Sequence, residues 1–388
     1  MKKFLALLLA LVMSLSLVAC GGGSDTTTDE STDTEGGDTA ETASYQVAMI
    51  TDYGDITDQS FNQTTYEACQ EFCDAEGLQF EYYKPAGDST AERVAMVDAA
   101  VADGYNVIVM PGYAFAETIK ETAELYPDVT FIALDVAQGD LDPNGEGYTL
   151  PSNVYCAVYQ EELCGYMAGY AAVKLGYTHL GVLGGMAVPA VQRFGYGFVQ
   201  GADAAAVELG IADQVVMEYA YGNQFYGDAD ITAYMDNWYQ TLGVEVVFAS
   251  GGGIYTSAAE AAAKVGGKLI GVDVDQSANI DTYGEGMCVT SAMKGLAETV
   301  QHMLSEVVAG NFANYGGKIE TLGLVNGDDP TANYVQLPME TTQWGDGFTQ
   351  DDYKALVKAM YDGEVTVSND ISAMPATTIT VNFAGNIK

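Results

Sequence analysis

Basic side chains are scarce. Fourteen lysines and arginines stand against 54 aspartates and glutamates in 388 residues, a formal net charge of −40. Such a field repels phosphate backbones and argues against nucleic acid as a partner and against a polybasic hold on a membrane surface. A neutral ligand, a sugar or a nucleoside, is unaffected. Histidine is rarer still: His179 and His302 are the only two. Neither neighbours a G-x-S-x-G or a cysteine-nucleophile context, so the chain offers an enzyme reading little support and calls for no cofactor. Six cysteines are present, and beyond Cys20 the remaining five are Cys69, Cys73, Cys156, Cys164 and Cys288. That number is odd and contains no C-x-x-C pair. Cys69 and Cys73 sit one helical turn apart with no nearby histidine to complete a metal site, so buried free thiols are expected.

Long apolar runs are missing except at the start. Lys2 and Lys3 precede an apolar stretch over residues 4–18, too short for a confident membrane span, which ends in Leu17-Val18-Ala19-Cys20. Small residues before a single cysteine form a lipobox. Residues 1–19 are therefore expected to be a lipoprotein signal peptide, with Cys20 lipidated and the chain held on the extracytoplasmic face of the cell membrane. Residues 21–44 are Gly, Ser, Thr, Asp and Glu, relieved by a few alanines, and contain no aromatic side chain. They cannot bury a core and read as an acidic tether, with a root-mean-square reach of about 25–30 Å.

From Tyr45 onward the composition is that of a globular protein, since hydrophobic residues make up 48% of the chain. Short apolar runs at 47–50, 80–83, 107–110 and 130–134 alternate with helical patterns at 60–76, 91–102 and 114–125. The near-continuous apolar runs predict parallel strands covered on both faces. The rhythm restarts with a helix at 161–174. Strands then come at 180–183, 215–219, 244–249, 269–274 and 287–291, with helices at 188–209, 231–242, 257–265 and 295–308. Beyond about residue 316 the chain reads as irregular, with one helix near 351–361. The fold class is α/β, as two doubly wound Rossmann-like lobes. In such sheets ligands collect at the carboxyl ends of the strands, so a cleft between the lobes is expected there.

Several predicted strand ends carry polar or glycine-rich residues. The first runs into Thr51-Asp52-Tyr53-Gly54-Asp55-Ile56-Thr57-Asp58-Gln59-Ser60-Phe61-Asn62-Gln63. The spacing of Asp52, Asp55 and Asp58 lacks the density and the terminal Glu of a calcium loop. Asp58 or Ser60 instead caps the next helix, with Asp52, Phe61 and Asn62 facing the cleft. Phe61 as a core ring and Asn62 as a solvated amide remain open on pattern alone. Asp135, Gly184-Gly185-Met186, Ser250-Gly251-Gly252-Gly253, Asp273 and Lys294 end or follow other strands. Carboxylates there suit hydroxyl binding, because each can accept from two hydroxyls.

These segments, in this order, resemble the basic membrane protein family of nucleoside-binding lipoproteins. The resemblance runs from about Tyr45 to Val365. It is carried by Asp58-Gln59-Ser60-Phe61-Asn62-Gln63, Phe131-Ile132-Ala133-Leu134-Asp135, Gly184-Gly185-Met186, Arg193-Phe194-Gly195-Tyr196-Gly197-Phe198, Ile270-Gly271-Val272-Asp273 and Thr290-Ser291 with Lys294. It implies a type I periplasmic-binding fold with three crossovers between lobes. It further implies a purine base stacked between Phe61 and Phe194 and read by Asp52 and Asn62, with Asp135 close by. Asp273 and Lys294 would hold the ribose, with Gly251 and Gly252 beside it. The expected partners are a nucleoside and the permease and ATPase subunits of an ABC importer, with the receptor itself a monomer. A sensor for a membrane signalling protein and a simple-sugar receptor are the alternatives. Lobe 1 is expected over 45–151 plus about 288–320, and lobe 2 over 152–287 plus about 321–388.

Overall fold

The computed structural model describes residues 45–387; the expected signal peptide, tether and Cys20 lie outside them. The chain opens with β1 (Gln46–Ile50), α1 (Phe61–Glu76), β2 (Gln79–Tyr83), α2 (Thr90–Ala102), β3 (Val107–Pro111), α3 (Ala116–Thr122), β4 (Thr130–Leu134), the short α4 (Gln138–Leu141) and β5 (Val154–Tyr159). It continues through α5 (Glu161–Lys174), β6 (His179–Gly184), α6 (Pro189–Leu209), β7 (Val216–Tyr221), α7 (Ala229–Asp236), β8 (Val246–Ser250), α8 (Tyr255–Ala263), β9 (Lys268–Asp273), the short α9 (Ser277–Ile280) and β10 (Cys288–Lys294). After α10 (Leu296–Val308) come β11 (Lys318–Leu322), β12 (Val335–Gln336), α11 (Gln350–Tyr361) and β13 (Thr380–Asn386).

The strands form two sheets, ordered β11-β5-β4-β3-β1-β2 and β12-β10-β9-β8-β6-β7-β13. Every pairing is parallel except that of β10 with β12. Central strands such as β3 and β8 are buried along their whole length. Sandwiched between helical layers, they need apolar side chains on both faces, which is why they read as unbroken hydrophobic runs. The edge strand β2 instead carries exposed Gln79 and Glu81.

The chain passes between the sheets three times: at Gln160 after β5, at Gly295 after β10, and between β11 and β12. This moves the expected lobe boundaries. Val154–Tyr159 pairs with β4 and β11 in the first sheet, so residues 152–159 do not belong to the second lobe. Cys288–Lys294 pairs with β9 in the second sheet, so residues 288–294 do not return to the first. The sequence rhythm restarts at the α5 helix, and the strand before it is not among those read from the sequence. The tail is also less irregular than expected, since β11, β12 and β13 each extend an existing sheet.

One helix contact positions much of the site. Helices α5 and α6 cross at glycines: a Cβ on Gly165 or Gly169 would stand 2.2 or 2.1 Å from the Phe194 or Phe198 carbonyl oxygen, and one on Gly197 or Gly201 would meet Glu162 or Tyr166 backbone as closely. Only glycine permits that approach. It brings Glu161, at the start of α5, against Arg193 on α6. All five described cysteines are buried and unpaired.

Candidate functional site

A cleft of about 930 Å³ lies between the carboxyl ends of the two sheets. Its wall contains all nine residues singled out from the sequence: Asp52, Phe61, Asn62, Asp135, Phe194, Gly251, Gly252, Asp273 and Lys294. Backbone strain marks the same place. Among the described residues, four that are not glycine have positive φ: Gln59 (55°), Asp135 (61°), Asn223 (60°) and Asp273 (66°). All four line the cleft. Left-handed backbone costs a side-chain-bearing residue of order 1–3 kcal/mol and persists where the surroundings impose it, most often at functional sites.

Lys294 is the hub. Its Nζ lies 2.6 Å from Asp135 Oδ2, 3.5 Å from Glu161 Oε1 and 3.8 Å from Asp273 Oδ1. Arg193 Nε donates to Glu161 Oε2 at 2.6 Å. Burial alone would lower the Lys294 ammonium, but the carboxylates of Asp135, Glu161 and Asp273 outweigh it and hold it above its ordinary value. Burial pushes Asp135 up to about 6, against the pull of Lys294, and raises Asp273 as well. One oxygen of this cluster, Asp135 Oδ1, is buried with no partner.

The three aspartates of the first loop diverge. Asp52 Oδ1 accepts from the backbone N–H of Tyr53 (2.6 Å) and Gly54 (2.8 Å). Asp55 pairs with Lys84 at 2.6 Å. Asp58, rather than Ser60, supplies the cap of α1, accepting from the backbone N–H of Ser60, Asn62 and Gln63. Ser60 Oγ reaches across the cleft to donate to Asp273 Oδ2 at 2.6 Å.

The aromatic side chains depart from the expected arrangement. Phe61 is half-buried in the cleft wall. Phe194 is 2% exposed and packs edge-on to Phe248 at 6.1 Å. The Lys294 ammonium stands over both rings, 4.7 Å from Phe61 and 5.6 Å from Phe194. Two further aromatics face one another across the cleft: Tyr53 from the first lobe and Phe225 from the second, 6.1 Å apart and stacked at 29°. Gly251 and Gly252 make room for the latter. A Cβ on Gly251 would meet the Gly185 backbone at 2.8 Å and the Phe225 ring at 3.1 Å, and Gly252, with φ of 54°, lies against the Phe225 backbone. Two more hydrogen bonds bridge the lobes, from Gln276 Nε2 to the Gln59 carbonyl (3.0 Å) and from Tyr255 Oη to Gln59 Oε1 (3.2 Å). The cleft is closed in this structure.

Sequence reasoning missed Tyr53, Glu161 and Phe225, and gave no role to Arg193. Phe225 does follow a strand end in Asn223-Gln224-Phe225, the same signal that singled out the others. Glu161 lies 133 residues from Lys294 and no spacing connects them.

The buried Asp52 carboxyl gives stability a pH dependence. Burial raises it to about 6, well above its value in an unfolded chain. Between about pH 4 and 6 the folded state therefore binds more protons than the unfolded one, and stability falls as pH rises through that window. Asp52→Asn keeps an oxygen for the Tyr53 and Gly54 N–H groups and removes the charge. Its melting temperature relative to wild type should rise between pH 4 and 7, by at most about 3 kcal/mol of stability. A difference that stays constant across that range in thermal melts would show that Asp52 is not held in this state.

The sequence pattern of the family described as ABC transporter substrate-binding protein, PnrA-like, matches residues 45–328. Among relatives, a protein of Listeria innocua called a CD4+ T-cell-stimulating antigen is 27% identical over 82% of this chain and 87% of its own length. The ABC transporter nucleoside-binding protein BmpA of Lactococcus lactis is 25% identical over 83% of this chain and 88% of its own. Among solved structures, an ABC transporter solute-binding protein of Aeropyrum pernix aligns with a TM-score of 0.63 at 24% identity, over 84% of this chain and 88% of that one. The fold is the type I periplasmic-binding fold.

Proposed function

Since the chain belongs to the PnrA-like family of ABC transporter substrate-binding proteins, we propose that it is a lipid-anchored extracytoplasmic receptor that binds a nucleoside between its lobes and delivers it to a membrane permease. The observation that carries the nucleoside reading is the composition of the cleft. Aromatic rings enter it from both lobes, Phe61 and Tyr53 from one and Phe225 from the other, beside the carboxylates of Asp135 and Asp273 and the Lys294 ammonium. A flat heterocycle stacks on the rings, and a sugar presents hydroxyls that carboxylates accept and an ammonium donates to. A simple sugar, unlike a base, has no heterocycle edge for Asp52 and Asn62 to read. Phe225 takes the second-lobe stacking role in this reading, because Phe194, 2% exposed, has little face to offer. Asp52 and Asn62 read the edge of the base, and Gly251 and Gly252 shape the turn behind it.

Mass spectrometry of small molecules released by denaturing the purified protein tests this directly. A nucleoside is expected; a stoichiometric free sugar or amino acid would overturn the reading. The anchor is tested separately. Cys20→Ala should move the protein from the membrane fraction to the soluble one, and a variant that stays membrane-bound with its leader removed would refute lipidation at Cys20.

A further inference from the structure

Asn62 sits in the cleft wall beside Phe61, 7% exposed, and its two amide ends are not equivalent. Nδ2 donates to Asp58 Oδ2 at 3.0 Å. Oδ1 is buried and has no partner. Asp58 dictates that orientation. Its Oδ1 accepts from the Ser60 and Gln63 N–H groups, and its Oδ2 from the Asn62 N–H and Nδ2. An ionised carboxylate only accepts, so it cannot pair with the Asn62 oxygen, and the amide cannot turn over without setting two acceptors against each other. Gly54 packs against the amide, since a Cβ there would stand 2.1 Å from Asn62 Nδ2 and 3.3 Å from its Oδ1.

We infer that Asp58 is a specificity-determining positioning residue: by holding the Asn62 amide it fixes a buried, unpartnered carbonyl acceptor in the cleft wall, and so selects heterocycles that present an N–H to it. The inference rests on the nucleoside reading above and goes beyond it, because stacking and ribose binding accept any base, whereas a fixed acceptor does not. A buried acceptor left unpaired is penalised, and a second acceptor brought against it is penalised further. Asp58 touches no ligand in this scheme. It acts through Asn62, and its replacement by Asn reverses the polarity. The new amide keeps one oxygen for the Ser60 and Gln63 N–H groups, gives up the bond from the Asn62 backbone N–H, and offers NH₂ to the Asn62 side chain, whose oxygen then turns toward it and whose NH₂ turns away.

Two ribonucleosides read this out. Inosine carries N1–H and a carbonyl at C6; purine riboside carries a bare acceptor nitrogen at N1 and hydrogen at C6. The change of their ratio between wild type and the variants, rather than the wild-type ratio alone, therefore isolates the N1 contact. Titration calorimetry of each against the full-length protein gives the ratio of their affinities. Wild type should prefer inosine at least tenfold. Asp58→Asn should lower that ratio by at least tenfold, to parity or inversion, and Asn62→Leu, which removes the acceptor and leaves Asp58 in place, should bring it toward one. A purely structural role for Asp58 would weaken both ligands equally and leave the ratio alone. A ratio unchanged in either variant, or a wild type that binds both nucleosides equally well, overturns this inference while the nucleoside reading stands. A wild type that binds no nucleoside overturns both.

Discussion

Replacing Asp273 with Asn should weaken nucleoside binding at least tenfold while the unliganded protein keeps its melting temperature within a few degrees. Asp273 is 6% exposed at the end of β9, accepts from Ser60 Oγ at 2.6 Å and lies 3.8 Å from Lys294 Nζ. Its backbone is left-handed, with φ of 66°. Asn tolerates that conformation better than Ala does, so it isolates the loss of charge from backbone strain. It also retains an acceptor for Ser60. On the proposed nucleoside reading it loses the ability to accept from ribose hydroxyls as an anion beside Lys294, and removing one member of a buried charged hydrogen-bond set costs about 2–5 kcal/mol. Asp273→Ala should lose at least as much affinity and some stability as well. Calorimetry that finds the Asn variant binding like wild type would remove Asp273 from the ligand's shell.

The two second-lobe phenylalanines should separate cleanly. Phe194→Ala empties a buried position against Phe248 and should cost about 3–5 kcal/mol of stability, lowering the melting temperature with and without ligand alike. Phe225 is half-buried, and its ring faces Tyr53 across the cleft. Phe225→Ala should therefore leave unliganded stability nearly unchanged and weaken nucleosides by about 1–3 kcal/mol, the contribution of one base–aromatic contact. Binding of free ribose should respond less, since it lacks the base that this ring is expected to stack on. If Phe194→Ala instead destroys affinity at constant stability and Phe225→Ala does nothing, the base stacks on Phe194 as the family resemblance implied. Differential scanning calorimetry and titration calorimetry on the same two proteins decide between these outcomes.

The range of the forces involved explains how much of the fold and the cleft was legible along the chain. The doubly wound sheets were readable because burial on both faces writes itself into contiguous apolar runs such as Val107-Ile108-Val109-Met110. The strand ends were readable because a polar or glycine residue directly after such a run has few other reasons to be there. Hence Asp52, Asp135, Asp273, Gly251 and Gly252 could be placed in the cleft wall from local pattern. Val154–Tyr159 was not assigned, because its partners lie at 130–134 and 318–322 and nothing local states which sheet it completes.

The sequence by itself determined the α/β class, the strand-end positions in the cleft wall and the family to which those motifs point, and it raised the expectation of an address at its start. All of these are properties of short windows or of ordered motifs. The tertiary structure decided what depends on distance between remote positions. It brought Glu161 and Arg193 to Lys294 through a glycine crossing of two helices. It set Phe225 rather than Phe194 opposite a first-lobe ring, and it turned the Asn62 carbonyl loose by binding the amide to Asp58. Hydrogen bonds and ion pairs act over about 3–4 Å. Their partners are chosen only once the backbone has folded, which is why the chemistry of single atoms in the cleft could not be read along the chain.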